Sequence, residues 1–221
     1  MPFAESFLAI VSSQEVASGE LKNFQVPNLS IREHKALLRQ QCRDRRMADA
    51  ATASQAIVGH FLSRLHQQPA WQTIALFLPL SGEPDVTSLL AAAPDRRYVF
   101  PRVIGKGMEF HHLIDITSQT TAGPWGLREP LASCPVVPIE QIDIMLCPGV
   151  AFSHARHRLG KGAGFYDRYL AQTSSHPELI GVTFDYLLFE ELPHEEHDIL
   201  MHDVLTEKGF ASQKGASSSL Q

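Results

Sequence analysis

The sequence predicts an α/β fold, a mostly parallel sheet with helices on both faces, and three observations carry that prediction. Apolar runs at residues 71–78, 98–103, 142–146 and 179–184 read as buried strands. Segments with helical patterning at 54–66, 86–93 and 165–172 alternate with them. Turn residues such as Pro79, Gly82 and Pro148-Gly149 punctuate the runs.

Residues 1–29 mix small, polar and apolar types without a sustained period and are expected to form a loosely ordered extension. Ser30-Ile-Arg-Glu33 matches a capping box, Ser at the N-cap and Glu three residues on, so a helix is expected to about residue 47. Its basic residues Lys35, Arg39, Arg43 and Arg46 recur at spacings of four, four and three and form one stripe. By itself such a stripe is ordinarily a solvated face. A second helix over 54–66 gathers Ile57, Val58, Phe61, Leu62 and Leu65 on one side. The strand at 71–78 follows, then a short helix at 86–93, the strand at 98–103, and a strand at 108–113 with one wet face. The Pro/Gly-rich stretch 123–138 reads as an ordered loop. After the strand at 142–146 come a helix at 165–172, the strand at 179–184 and a last strand near 203–206. Residues 211–221 are polar and Ser-rich, hence expected as a disordered tail. Residues 30–210 thus make a single domain, without internal repeats.

With 44% hydrophobic and 19% charged residues, the 221-residue chain reads as a globular protein able to bury a sizeable core. A net charge of −5 argues against bulk nucleic-acid binding. The local basic cluster at 156–161 suits one small anion better than a polymer. Three cysteines (Cys42, Cys134, Cys147) without a Cys-x-x-Cys point to a reducing compartment and no disulfide framework. The eleven histidines show no metal-protease spacing. No apolar run nears the ~18 residues of a membrane span, and the apolar run 7–11 has no basic residues before it. A cytoplasmic location is the default expectation.

The chemistry concentrates in residues 146–170. Glycines at 160, 162 and 164 let backbone N–H groups approach a ligand without Cβ obstruction, and successive N–H groups at a loop-to-helix junction make an anion site. Arg158 and Lys161 add positive charge, and Asp167 offers a carboxylate for a bridging metal. This combination suits a nucleotide polyphosphate with Mg²⁺. It is neither a P-loop, since no Ser or Thr follows Lys161, nor the dinucleotide fingerprint, whose third glycine would come one residue later. On spacing alone, a tight structural loop remains the commoner reading.

Pro148-Gly-Val-Ala-Phe152, five residues, then Arg158-Leu-Gly-x-Gly-x-Gly-Phe-Tyr-Asp-Arg168 resembles the signature of the 5-formyltetrahydrofolate cyclo-ligase family. Weaker matches follow in the family's order: Lys35 to Arg39, residues 74–78 with Gly82-Glu83-Pro84-Asp85, Tyr98 to Arg102, Trp125 to Pro130, and Leu192-Pro193 to His197-Asp198. The resemblance spans about residues 30–209. It implies a fold shared with sugar-phosphate isomerases and CoA transferases (NagB/RpiA/CoA transferase-like). It also implies conversion of 5-formyltetrahydrofolate to 5,10-methenyltetrahydrofolate, with ATP as co-substrate and Mg²⁺ as cofactor. On this resemblance Lys35, Arg39, Arg158, Gly160, Lys161, Gly162, Ala163, Gly164, Phe165 and Tyr166 face the nucleotide. Glu83, Trp125, Phe165 and Tyr166 face the folate, Asp167 and Asp198 hold the metal, and Arg158, Lys161 and Asp167 serve catalysis. The expected partners are these small molecules, with no nucleic acid and no membrane, and the chain is expected to be a monomer.

There are departures from the family pattern. Ser153 stands where the family has Asp, and Arg156 where it has Gly; His202 and Val86 replace a usual acid and a usual Thr. Ser153 and Arg156 motivate the alternative of a divergent, non-catalytic nucleotide- or folate-binding module.

Overall fold

The computed structural model describes residues 29–43, 45, 47–123, 126–173 and 176–214. The extension expected over 1–29 lies outside them apart from its last residue, as do residues 215–221 of the expected tail.

The first helix, α1 (Ile31–Arg43), opens with the expected capping box. Ser30 Oγ accepts from Glu33 N (3.3 Å) and Glu33 Oε2 accepts from Ser30 N (2.9 Å). Its buried Leu38 and Cys42 pack on Ala151, Leu159, Leu187 and Leu192, so the helix lies against the segment that carries the glycine loop. It ends short of residue 47, where Arg45 N turns back to Cys42 O.

Helix α2 (Ala50–His66) starts four residues before the expected position because Asp49 supplies the cap, accepting from Thr52 N at 3.1 Å. Ser54, the expected start, lies inside the helix. Its hydroxyl donates to Ala50 O (2.7 Å) and accepts from Asp85 N (3.0 Å).

The strands β1 (Thr73–Ala75), β2 (Arg97–Ile104), β3 (Gly107–His112), β6 (Val136–Val137), β7 (Ile144–Pro148), β10 (Glu178–Val182), β12 (Asp203–Thr206) and β13 (Gly209–Phe210) form one sheet in the order β13-β12-β10-β7-β1-β2-β3-β6. Pairing is parallel from β12 through β2 and antiparallel at both edges. The expected mostly parallel α/β sheet is therefore what the chain adopts. Alternation along the strands feeds two cores. Ile74, Ile144, Leu146, Ile180 and Val182 join α2 and the short helix α3 (Leu89–Ala92). Ala75, Met145, Cys147 and Leu179 join Tyr169 and Leu170 of helix α4 (Phe165–Leu170) on the opposite face.

The 123–138 stretch, expected as loop alone, contributes β6 and also β5 (Arg128–Pro130), which pairs antiparallel with β4 (Thr120–Ala122). These strands are too short to show a period. For the same reason the expected loop after β7 conceals a hairpin, β8 (Ala151–Ser153) with β9 (Arg158–Leu159), extended by β11 (Leu188–Phe189). The expected tail begins with one helical turn, α5 (Ala211–Lys214), where Ser212 Oγ donates to Asp203 Oδ2 at 2.5 Å.

After β1 the chain crosses to β2 on one side, and β7 returns to the other. The C-terminal ends of β1 and β7 therefore flank a topological switch point, where open α/β sheets hold their ligands. The hairpin is anchored beside it by fully buried Phe152. A Cβ on Gly181 of β10 would lie 2.3 Å from that ring, so glycine is needed there for close approach.

Arg156 turns the hairpin with φ +68°, the one non-glycine residue at positive φ among the described residues. Its N–H donates to Ser153 O (2.8 Å), and the buried Ser153 Oγ accepts from His157 N (3.1 Å). The turn thus keeps a glycine-type backbone despite the side chain, and Ser153 supplies an acceptor. Relief of the left-handed strain, about 1–2 kcal/mol, outweighs the backbone entropy cost of glycine, about 0.5–1 kcal/mol. Arg156→Gly should therefore raise the urea midpoint by an equivalent of about 0.5–1 kcal/mol. A lowered midpoint would contradict the strain.

Candidate active site

Three chain segments meet at the switch point: the loop after β1, the hairpin and glycine loop after β7, and residues 190–198, with α1 laid across them. Together they line a cleft of about 660 Å³. Every expected site residue among those described lines it: Lys35, Arg39, Glu83, Arg158, Gly160, Lys161, Gly162, Ala163, Gly164, Phe165, Tyr166, Asp167 and Asp198. Trp125 lies outside the described residues.

The glycine loop is shaped by Gly162 (φ +102°) and by Gly164 (φ +67°), which precedes α4 as its N-cap without a side-chain cap bond. Arg39 Nε donates to Gly160 O at 2.7 Å, so α1 braces this loop directly. Helix α4 has only six residues, so its dipole adds less than the expected 165–172 helix would.

Three cations facing the cleft are paired with acids. Arg158 Nη2 donates to Asp167 Oδ1 at 2.6 Å. The Lys35 ammonium, on a buried residue, bonds Asp198 Oδ2 at 2.6 Å and Glu195 Oε2 at 2.9 Å. Lys161 Nζ stands 2.7 Å from Glu83 Oε1. The two expected metal carboxylates share the cleft, but each is held by a different cation. Nearest to Asp198 are Glu195 and His197, whose ligand atoms lie with its own within 4.8 Å of one another.

Burial pushes the Asp198 carboxyl up, but hydrogen bonds from Lys35 and Glu195 N and the Lys35 charge outweigh it, and the group is held below its ordinary value. Burial likewise lowers the Lys35 ammonium, and its two carboxylate partners more than reverse this. The 190–198 segment is fastened to the hairpin by the His157 and His194 rings, stacked at 3.8 Å and 11°. Burial first, then His194, pulls His157 below its usual range.

One wall of the cleft is apolar: Phe77, Leu78, Val103, Met108, Leu127 and the Phe165 ring. The Tyr166 hydroxyl is buried without a hydrogen-bond partner among the described residues, and burial raises its pKa well above normal. Cys147, beneath the cleft, is fully buried and its thiol is pushed up to about 12 by burial, which removes it as a nucleophile. Sequence reasoning missed Glu129, a buried cleft residue whose Oε1 accepts from Val103 N at 3.1 Å. Its signal was present in the Trp-Gly-x-x-Glu-Pro turn, where only the Trp was considered. It missed Glu195 because a run of acidic residues reads as solvated.

This geometry can be set beside known proteins. The family model for the 5-formyltetrahydrofolate cyclo-ligase family matches residues 30–207. This chain belongs to that family. A 5-formyltetrahydrofolate cyclo-ligase of Haemophilus influenzae is 28% identical over 160 residues, covering 69% of this chain and 84% of the relative. One from Mycolicibacterium smegmatis is 42% identical over a shorter match of 88 residues, 39% of this chain and 45% of that one. Among solved structures, the NMR structure of Aquifex aeolicus 5,10-methenyltetrahydrofolate synthetase superposes with a TM-score of 0.69 at 26% identity, covering 82% of this chain and 92% of that chain. No helix among the described residues is long and apolar enough to cross a membrane.

A depressed carboxyl pKa stabilises the fold fully above its unfolded value of about 4, and that contribution disappears as pH falls through the lower folded value. Urea midpoints between pH 6 and pH 3 should therefore fall more steeply for the wild type than for Asp198→Asn. Equal slopes would show that the Lys35–Asp198 pair contributes nothing.

Proposed function

We propose that this chain uses ATP and Mg²⁺ to convert 5-formyltetrahydrofolate into 5,10-methenyltetrahydrofolate, releasing ADP and phosphate, as a cytoplasmic monomer. The observation that carries the proposal is the convergence in one cleft of Lys35, Arg39, Arg158 and Lys161 with acids and an apolar wall. This supplies a polyphosphate site and a site for a flat heterocycle side by side.

The chemical difficulty is a formamide oxygen that leaves poorly. In the proposed sequence that oxygen attacks the γ-phosphorus of ATP, the bond to ADP breaks, and an activated phosphate ester of the formyl group forms. N10 of the folate then attacks the formyl carbon. The carbon–oxygen bond breaks, and phosphate leaves with the N10 proton. Such phosphoryl transfer asks little covalent chemistry of a protein, and positioning with charge neutralisation supplies most of the rate. Lys35, Arg39, Arg158 and Lys161 bind phosphate oxygens, helped by N–H groups of Gly160, Gly162, Ala163 and Gly164. Glu83 accepts from the pterin, and Phe165 and Tyr166 form its wall; Trp125, a folate-facing residue on the family resemblance, lies outside the described residues.

Asp167 and Asp198 are the residues that would hold Mg²⁺, a hard cation suited to carboxylate oxygens, and Glu195 beside Asp198 would enlarge the donor set. When bound, the ion would neutralise phosphate charge. Arg158 and Lys35, which pair with these carboxylates, are the cations that would face the phosphates.

A binding module without turnover would require a damaged cleft. Ser153 and Arg156, the departures that motivate it, are not among the residues lining the cleft, and the backbone at Arg156 takes the glycine conformation.

The test mixes protein, 5-formyltetrahydrofolate, Mg²⁺ and ATP and follows methenyl-folate absorbance. Product is expected with the wild type. Asp167→Asn should raise the Mg²⁺ needed for half-maximal rate on the order of tenfold while leaving the fold intact. Binding of both substrates without product would overturn the enzymatic reading, and an unchanged Mg²⁺ requirement would remove Asp167 from the metal.

A further inference from the structure

The Lys161–Glu83 pair is built asymmetrically. Glu83 is fixed: its side chain is 9% exposed, Oε2 accepts from Leu80 N at 2.8 Å, and its own N–H returns to Leu80 O at 3.0 Å. Lys161 is the exposed partner. Its side chain is 44% exposed, and it stands between Gly160 and Gly162. The ammonium lies 2.7 Å from Glu83 Oε1, and this ion pair is the one polar contact to that buried oxygen among the described residues. Once the ammonium leaves, that oxygen needs another donor.

We infer that the Lys161–Glu83 pair couples the two substrate subsites, so that the folate and the nucleotide each tighten the other's binding; this rests on the function proposed above. Without ligand, Lys161 neutralises Glu83. When ATP draws Lys161 to its phosphates, Glu83 is left buried and uncompensated, a costly state. When a heterocycle with adjacent N–H donors, as in a pterin, takes Glu83, both carboxylate oxygens are satisfied and Lys161 leaves without penalty. Each ligand therefore removes a cost the other would bear. By linkage the effect is reciprocal.

The geometry also says which partner moves. Lys161 swings because its stem is exposed and flanked by glycines, while Glu83 stays because the Leu80 turn holds it. Lys161 occupies one of the x positions of the Gly-x-Gly-x-Gly string.

The experiment is calorimetric titration of the imido analogue of ATP, which cannot transfer its γ-phosphoryl, with Mg²⁺ present, with and without saturating 5-formyltetrahydrofolate. For the wild type the folate should tighten analogue binding at least fivefold, the low end of the about 5- to 150-fold range of coupled sites. Lys161→Met should still bind both ligands, with the ratio of affinities falling to near one, and Lys161→Arg should restore it. A Lys161→Met protein with the wild-type ratio overturns the inference. So does a wild-type ratio of one, and where that protein still forms methenyl-folate, the proposed function survives alone. Failure of either ligand to bind the wild type overturns both.

Discussion

Charge compensation inside the cleft is the constraint on which the rest of this structure depends. Lys35 and Arg158 are withdrawn from water, with side chains 10% and 6% exposed. A buried ion without a partner is strongly destabilising. Each is therefore matched: Lys35 with Asp198 and Glu195, Arg158 with Asp167. Lys161 is matched with Glu83, where it is the acid that is buried. The cleft holds these cations and carboxylates in one neutralised arrangement. On the function proposed above, a metal–nucleotide complex would bring the complementary set, so that both halves would change partner in a single binding event.

The fold exists to bring those pairs together from distant parts of the chain. The parallel strands place the loop after β1 and the loop after β7 on one rim, at the point where strand order reverses. Helix α1 is docked by Leu38 and Cys42 on the hairpin core, which directs Lys35 towards the 190–198 segment and Arg39 onto Gly160 O. Phe152, admitted by Gly181, ties the hairpin to the sheet, and Arg158 pairs directly across the hairpin from it. The stacked His157 and His194 rings fasten the other acidic segment to the same hairpin.

Local chemistry was legible in the sequence and long-range pairing was not. The Ser30–Glu33 capping box, the buried apolar runs and the glycine loop are short-range patterns, and each appears where the residues indicate. The residues that line the cleft were readable because they sit in contiguous motifs. Their partners were not, since Lys35 and Asp198 are 163 positions apart and no local pattern encodes which acid meets which base. The α2 start was displaced because Asp49 and Ser54 both have the chemistry of a cap, and only packing chose between them. Strands of two or three residues, such as β5, β8 and β9, carry no period to detect. Arg156 is the instructive case. Propensity argues for a different turn, yet hydrogen bonds donated to Ser153 by the Arg156 and His157 N–H groups hold the left-handed backbone that glycine would adopt.

The most direct measurement of partner exchange is calorimetric titration of ATP into the protein with Mg²⁺ present and with it removed by chelation. If phosphates take Lys35 and Arg158 only when a metal takes Asp198 and Asp167, removing Mg²⁺ strands both carboxylates. Nucleotide affinity should then fall about tenfold or more, since stranding Asp198, the more buried of the two with its side chain 18% exposed, costs more than the roughly 1.4 kcal/mol that a factor of ten represents. Equal affinity with and without Mg²⁺ would contradict partner exchange and leave the ion pairs as structural contacts alone.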